Sequence, residues 1–306
     1  MKRIYLSLAF LLLVASAAGA QSADNNTPVQ APTLPISFDR PESWALKYFA
    51  SATLLSGLET PSTRTPGSVS VGFELGWLPS LDTTERRVGF FGTKTEDLNK
   101  APVLPRPRVT IGLPGRFAVT AAFLPPIEAF GLTPKLFALA LERPLYESTP
   151  WVVGLRGYGQ VGTVEGAFTC PQSVLPFAPG SANNSYGCLA VSSDTASLRF
   201  AGLELSTSYR SPGLKGLSPH AAAAINYMNV AFQVNALTFG YLDRTRLLSH
   251  GATFAASGGV TYALTRKLDT TLDVFYAPLS VQRVFAAPEQ NDGLFNIRAL
   301  VTYRLR

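Results

Sequence analysis

Residues 68–77, SVSVGFELGW, decide the fold. Every second residue from Val69 to Trp77 is apolar, whereas serine, glycine or glutamate stands between them. Because successive side chains of a β-strand point to opposite faces, this period of two predicts a strand with one apolar and one polar face. The apolar face could line a protein core or face lipid, and the alternation alone does not decide between them.

The same alternation recurs along the chain. It is clear at residues 252–264 and 295–306. Weaker examples lie at residues 44–55, 86–93, 104–113, 116–125, 135–143, 151–165, 195–209, 219–234 and 268–284. Together they predict about twelve strands, within a range of about 10 to 14. The apolar face changes partway through 195–209 and 219–234, which predicts a β-bulge at Ala201-Gly202 and a second irregularity near Met228.

The composition favours a membrane surface over a soluble core. Only 15% of the 306 residues are charged and 46% are hydrophobic, whereas soluble domains carry about 25% charged residues. After residue 20 no apolar run approaches the length of a transmembrane helix. A chain that spans a membrane without helices has to close its strands into a barrel.

The lengths of the predicted connections give this barrel an orientation. The two tightest turns, 114–116 and 265–267, fall on one side, whereas the two longest loops, 166–194 and 235–251, fall on the other. Outer-membrane barrels have short periplasmic turns and longer outer loops. Twelve strands then place both termini in the periplasm and predict a periplasmic girdle of aromatic residues. Its members are Trp44, Trp77, Trp151 and Tyr303.

On these strands, the N-terminus and the terminal Val301-Thr302-Tyr303-Arg304-Leu305-Arg306, the chain resembles Gram-negative outer-membrane β-barrel proteins. Residues 1–20 have a basic start, an apolar centre and a small-residue end, which predicts a cleaved signal peptide. The resemblance implies an all-β fold, a transmembrane antiparallel up-and-down barrel over 44–306, in the cell outer membrane. It also implies contact with membrane lipid and with the barrel-assembly machinery through the last strand, although Arg306 stands where an aromatic residue is usual.

The segment 21–43 is rich in proline and has no periodicity. We interpret it as a periplasmic tail or as a small plug that enters the lumen. Cys170 and Cys188 both fall in the predicted loop 166–194. Because the periplasm and cell surface are oxidising, we expect these two cysteines to form a disulfide. Two thiols fall short of the four ligands of a structural zinc site, so no metal site is predicted.

The polar strand faces would line the lumen. Their residues are candidates for a lumen or constriction site: Lys47, Glu74, Arg106, Arg108, Arg156, Tyr158, Arg199, Asp269, Asp273, Arg298 and Arg304. One interpretation is internal ion pairing, with Asp273 opposite Arg304 across the last hairpin. The other is a constriction of unpaired arginines that favours anionic solutes.

These observations predict a channel or small-solute transporter that works by passive diffusion. The alternatives are a hydrophobic-compound transporter of the fatty-acid type with a lateral opening, and a surface structural or adhesive barrel. His220 and His250 are the only imidazoles and have no recognisable catalytic partners, so neither an enzyme nor a cofactor is predicted. Without Lys2 and Arg3 of the predicted signal peptide, 24 basic residues stand against 20 acidic ones, and this net charge of +4 is too small and scattered to favour nucleic acid as a partner. The predicted partner is a small-molecule solute.

Overall fold

The structure is a computed structural model that describes residues 27–210, 212–283 and 288–305. The predicted signal peptide, residues 1–20, and Arg306 lie outside these ranges.

Ten long strands form one closed antiparallel barrel. Each strand pairs with the next along the chain, and the tenth pairs with the first, so the sheet has no free edge. In chain order the strands are β1 Val69–Trp77, β2 Val103–Gly112, β3 Ala118–Leu124, β4 Leu132–Ser148, β5 Trp151–Gly166, β6 Asp194–Tyr209, β7 Leu217–Gln233, β8 Arg246–Ala263, β9 Leu268–Ala277 and β10 Leu294–Arg304. The predicted all-β barrel is confirmed, with ten strands instead of about twelve.

The barrel carries its apolar face on the outside. In β1, Phe73 and Leu75 are 48% and 45% exposed, whereas Glu74 between them is 1% exposed. Soluble proteins bury such apolar residues and expose the charged ones. The inverted arrangement is the one expected for strands surrounded by lipid.

The two ends of the barrel differ in the length of their connections. One end, here called the short-turn end, carries the connections 113–117, 149–150, 210–216 and 264–267. The other, the long-loop end, carries 78–102, 125–131, 167–193, 234–245 and 278–293. From the usual asymmetry of outer-membrane barrels, we expect the short-turn end to face the periplasm and the long-loop end to face outward.

The predicted strand 44–55 is wrong, because this region forms a helix, α1 Pro41–Ala52, inside the barrel. Pro41 occupies the first turn, where its fixed φ suits a helix and its missing N–H costs no hydrogen bond. The barrel encloses the helix, and most of its side chains are buried. A fully enclosed helix needs no polar face, so the sequence shows no helical periodicity.

The predicted strand 86–93 is also wrong. These residues belong to the loop 78–102, in which Arg87–Val88 pairs with Lys94–Thr95 across the short helix Gly89–Gly92. Phe90 and Phe91 have φ values of 48° and 60°, so the chain turns back instead of extending. Without the two predicted strands, β1 runs in the opposite direction to the expected one.

The predicted bulges at Ala201-Gly202 and near Met228 are wrong as well. β6 and β7 pair without a register shift from Thr195 to Ser208. The apolar face changes because the lumen is apolar near the long-loop end, where Leu198 and Met228 point inward. Nearer the short-turn end the inward residues are polar and the lipid-facing ones apolar.

The chain enters the barrel from the long-loop end. Val29–Gln30 pairs with Tyr241–Asp243, and Thr33–Pro35 pairs with the start of β8. From there α1 leads into the lumen, and Gly67 reaches the short-turn end, where its N–H donates to the Gly112 carbonyl. Residues 27–40 therefore lie at the long-loop end, and residues 21–26 of the predicted tail or plug lie outside the described ranges.

The remaining elements are short and lie mostly in the connections: the strands Ala236–Thr238, Ser280–Val281 and Gln290–Asn291, and the 3-10 helices Pro114–Arg116, Gln172–Val174 and Pro212–Leu214. Within the described residues, no helix has the length and apolarity needed to span a membrane.

Candidate functional site

Residues 41–67, here called the plug, fill the lumen from one end to the other. Near the long-loop end, α1 is fixed by side chains that donate to loop carbonyls. Trp44 Nε1 donates to Asp292 O at 2.8 Å, and Lys47 Nζ donates to Ser280 O at 2.8 Å. Lys47 is therefore inside the barrel, as predicted for a lumen residue, but on the plug and not on a wall strand.

Below the helix, wall arginines hold the backbone of the plug. Arg106 Nη2 lies 2.8 Å from Glu74 Oε1, and the same guanidinium donates to the carbonyls of Thr53 and Leu54. Arg108 forms a second ion pair with Glu74. These bonds reach the last carbonyl groups of the plug helix region, which have no partner within a helix.

Arg156 connects two wall carboxylates with the plug. It lies 2.9 Å from Glu142 and 2.8 Å from Glu204. Its Nη atoms also donate to Gly57 O at 3.1 Å and Glu59 O at 2.7 Å. Since Glu142, Glu204 and Gly57 are buried in the lumen, the guanidinium fixes the plug in one position.

Arg298, Asp273 and His220 form a third cluster. The three clusters, of Glu74 with Arg106 and Arg108, of Arg156 with Glu142 and Glu204, and of Arg298 with Asp273 and His220, are here called the ionic hub. Arg298 lies 2.6 Å from Asp273, and His220 Nε2 lies 3.2 Å from the same carboxylate. Glu204 accepts a hydrogen bond from the Gly57 N–H at 2.6 Å. Gly57 has a φ of +71° and a Cβ there would lie 2.4 Å from Ser257 Oγ, so only glycine fits.

Most of the predicted lumen residues meet in or near the ionic hub. Those that meet there are Glu74, Arg106, Arg108, Arg156, Tyr158, Asp273 and Arg298, and Lys47 and Asp269 are also buried inside the barrel. All four arginines of the predicted basic constriction form ion pairs with buried carboxylates. The arrangement follows the ion-pairing interpretation, and Tyr158 adds a hydrogen bond to Asn226 at 2.5 Å.

Two parts of that prediction are wrong. Arg199 points outward and is exposed, because β6 keeps one register and its even-numbered residues face the lumen. Asp273 lies opposite Arg298 and not Arg304. Arg304 instead pairs with Asp269 near the short-turn end.

The predicted aromatic girdle is also split between different places. Trp151 and Tyr303 are exposed at the short-turn end, where the ring of Trp151 packs edge-on against Tyr209. Trp44 is 1% exposed within the lumen and Trp77 ends β1 at the long-loop end, so neither belongs to a periplasmic girdle.

Above the ionic hub, the lumen holds two apolar cavities. The outer cavity, of about 320 Å³, lies between α1 and the loops and is lined by residues such as Leu46, Phe90 and Phe232. The wall cavity, of about 270 Å³, lies between α1 and the ends of β2, β3 and β4. Phe49 and Phe168 line both, so these two side chains separate adjoining spaces.

The barrel wall is interrupted beside the wall cavity. β2 and β3 pair only from Arg108–Ala122 to Gly112–Ala118, although β2 continues to Val103. Pro105 and Pro107 lack N–H groups. Because they are two residues apart, the N–H groups that they lack would have pointed toward the same neighbouring strand. Since the pairing of β2 with β1 is continuous, the missing donors face β3.

The end of β3 widens this gap. Pro125 and Pro126 directly follow Leu124, so the strand stops while β4 continues beside it. The wall cavity extends from Phe49 inside the barrel to Ile127 and Phe130, which are 67% and 58% exposed. The sequence signal for this feature was the spacing of Pro105 and Pro107 in β2 and the Pro125-Pro126 pair directly after β3.

The rim of the outer cavity is charged. Arg40 and Glu42 pair at 2.9 Å, and Lys94 pairs with Glu96 at 2.9 Å. Burial raises the pKa of Glu96 to about 7 despite the Lys94 ammonium.

The predicted disulfide is confirmed between Cys170 and Cys188, whose Cα atoms are 5.7 Å apart. It lies in the loop 167–193 and packs against Val234 and Ala236. Among the residues that the structure describes, no group of three or more His, Cys, Asp or Glu side chains is arranged to hold a metal ion. His250 is exposed beside Tyr227, away from the ionic hub.

Solved structures that resemble this chain include bacterial outer-membrane proteins. No family model matches the chain, and a search of curated proteins found no relative. The chain is similar to the attachment invasion locus protein Ail of Yersinia pestis, with 10% identity, a TM-score of 0.27 and coverage of 78% of this chain and 99% of that one.

Two further solved structures show the same kind of likeness. The translocator domain of the autotransporter NalP from Neisseria meningitidis has 8% identity, a TM-score of 0.41 and coverage of 80% and 91%. The N-terminal β-barrel domain of Pseudomonas aeruginosa OprF has 8% identity, a TM-score of 0.29 and coverage of 78% and 98%.

Proposed function

We propose that the protein transfers small hydrophobic compounds between the outer surface and the membrane interior. The route leads from the outer cavity, past Phe49 and Phe168, into the wall cavity and out through the gap between β2 and β3. The wall cavity carries this proposal, because apolar side chains line it from the plug to exposed residues of the barrel wall. Apolar pockets of a few hundred Å³ are typical of sites for small ligands.

The contacts between the ionic hub and the plug block the barrel axis, which supports a lateral route over an axial one. A compound that crossed the barrel along its axis would have to displace the plug from Arg106, Arg156 and Arg298. A compound that left through the wall would pass above these residues. A lateral exit of this kind would release the compound directly into the membrane interior.

A passive channel for polar solutes is the second candidate. A polar cavity of about 400 Å³ at the short-turn end leads toward the ionic hub and is lined by residues that include Arg64, His220 and Arg304. A channel would need the plug to leave the lumen. The surface structural or adhesive role stays a prediction.

Photolabelling tests the lateral route. The protein is placed in phosphatidylcholine nanodiscs with dodecanol that carries a diazirine in its chain, and labelled peptides are identified by mass spectrometry. We expect label on the α1 peptide that contains Phe49. The substitution Ala129→Trp fills the wall cavity from an exposed loop position and should lower this labelling about tenfold.

The matched control is Ala299→Trp, which adds the same side chain to the lipid face of β10. It should leave labelling of α1 unchanged. If α1 in the unaltered protein carries no more label than an equivalent enclosed segment near the short-turn end, the lateral route is wrong. Discrete conductance steps in a planar bilayer would favour the channel instead.

A further inference from the structure

The two cavities differ in the chemistry that they offer to a ligand. The wall cavity has no charged lining residue, and its one polar side chain is that of Thr53. The Thr53 hydroxyl already donates to Ala50 O at 2.8 Å and accepts from Gln160 Nε2 at 2.9 Å. A polar group of a ligand would lose its hydrogen bonds to water there without replacement, which is costly. The wall cavity therefore suits a hydrocarbon chain.

The outer cavity can receive a polar head. Its floor is apolar, with Phe49 and Phe232, but its lining also includes three carboxylates, those of Glu42, Glu96 and Asp243. A ligand whose chain passed between Phe49 and Phe168 would leave its head among these groups.

The cations near the outer cavity are already used. Arg40 holds Glu42 through two bonds, of 2.9 and 3.2 Å, and stacks over the ring of Phe91. Lys94 holds Glu96 at 2.9 Å and also donates to Thr169 O. The Lys94 ammonium and the Arg40 guanidinium are therefore both engaged and are not free to bind an anion.

Asp243 leaves an excess of negative charge at this site. Its carboxylate accepts from Thr245 N at 2.8 Å and Thr245 Oγ1 at 2.6 Å, and forms no ion pair with any residue in the described ranges. Arg244 and Arg246, on either side in sequence, are exposed and do not line the cavity. An anionic head would meet repulsion, whereas a cationic or hydrogen-bond-donating head would be attracted.

We infer that the transferred compound is an amphiphile with a hydrocarbon chain and a cationic or uncharged, hydrogen-bond-donating head, and that anionic amphiphiles such as fatty acids are disfavoured. This inference rests on the proposed function. It assigns the chain to the wall cavity and the head to the outer cavity beside Asp243.

Three diazirine probes with the same dodecyl chain test the inference: dodecylamine, dodecanol and the permanently anionic dodecyl sulfonate. Labelling of the α1 peptide is measured at pH 7 in phosphatidylcholine nanodiscs. It is divided by labelling of the lipid-facing Leu139 peptide, which corrects for partition into the bilayer. We expect the sulfonate to label α1 about tenfold less than the amine does.

The variant Asp243→Asn should reduce this difference to about threefold. Its control is Asp97→Asn, which removes a carboxylate that does not line the cavity from a different bordering loop, 78–102. This variant should keep the full difference. Equal labelling by all three probes, or an unchanged ratio in Asp243→Asn, would overturn the inference while leaving the lateral route intact. Absence of α1 labelling by every probe would instead refute the proposed function.

Discussion

The two halves of the lumen hold the same plug by different means. Near the short-turn end, Arg106, Arg156 and Arg298 bind carboxylates and plug carbonyls at hydrogen-bond distance. Near the long-loop end, α1 packs against apolar wall residues and leaves two cavities. Buried charges need directional partners at short range, so the wall contacts the plug closely around the ionic hub, and the polar cavity of about 400 Å³ lies beyond the hub at the short-turn end. Apolar contacts have no such requirement and tolerate spaces that a ligand can enter.

The orientation of these halves can be tested by an all-or-none result. An epitope tag inserted between Thr27 and Pro28 lies at the long-loop end, next to the strand pairing of Val29–Gln30. We expect antibody to reach it on intact cells, because the long-loop end faces outward. A tag in the short turn at Arg266 should be reached only after the outer membrane is permeabilised. The opposite pattern would mean that the two ends are assigned the wrong way round.

Loss of an ionic-hub arginine should have the largest effect on stability. Arg156→Met leaves Glu142 and Glu204 buried without their cation, which typically costs about 3–5 kcal/mol. The free energy of unfolding in urea, followed by tryptophan fluorescence, measures this loss.

Arg199→Met is the control for that measurement, since it removes an exposed arginine from the neighbouring strand β6. Because Arg199 lies near the long-loop end of β6, where a lipid-facing charge costs about 0–1 kcal/mol, the substitution should change the free energy of unfolding by at most about 1 kcal/mol. Equal effects of the two substitutions would show that the ionic hub does not hold the barrel and plug together.

Substitution of a plug glycine by alanine should lower the free energy of unfolding by a smaller amount, which depends on the position of the glycine. Gly57→Ala places a Cβ 2.4 Å from Ser257 Oγ at a left-handed φ, and we expect a loss of about 1–3 kcal/mol together with plug displacement and new conductance steps. Gly67→Ala has a similar φ of +77° but open space around the Cβ, so it should cost about 1 kcal/mol and add no conductance. Similar conductance from both variants would argue against a tightly held plug.

A pH dependence of stability is expected at the long-loop end. Burial raises the pKa of Glu96 above that of an unfolded glutamate, so the folded protein binds this proton more tightly. Stability should therefore fall as pH rises from about 4.5 to 7, by at most about 1.4 kcal/mol per pH unit. Glu96→Gln should remove this part of the dependence in urea unfolding at pH 5 and pH 7.5. A slope that persists unchanged in the variant would assign it to another group.

The wall of the barrel could be predicted from the sequence because lipid imposes a simple pattern on it. In β1 and β10 every outward residue is apolar and most inward ones are polar, so the alternation shows both faces. In β6 the pattern is less clear, since Leu198 and Phe200 face α1 while Leu203 and Leu205 face lipid. The change of apolar face that resembled a bulge reflects a change in the lumen, which is apolar around α1 and polar below it.

The plug could not be predicted in the same way. Trp44, Leu46 and Tyr48 alternate with smaller or polar residues and imitate a strand, although all three are buried by the surrounding barrel. The ionic hub could be predicted only in part. The position of Glu204 between Leu203 and Leu205 indicates an inward carboxylate. Its partners Arg156 and the Gly57 N–H come from distant segments, and only the closed barrel brings them together.

The path of the plug also constrains how the protein is assembled. Residues 41–77 pass through the barrel twice, once as plug and once as β1, before any other wall strand is reached. Yet Lys47 and Trp44 bind Ser280 and Asp292, whose positions lie 233 and 248 residues further along the chain. The seam between β1 and β10 must therefore stay open until the first segment is inside. Closure of the last seam then becomes a late step that seals a preloaded lumen, and contacts of such long range predict slow folding.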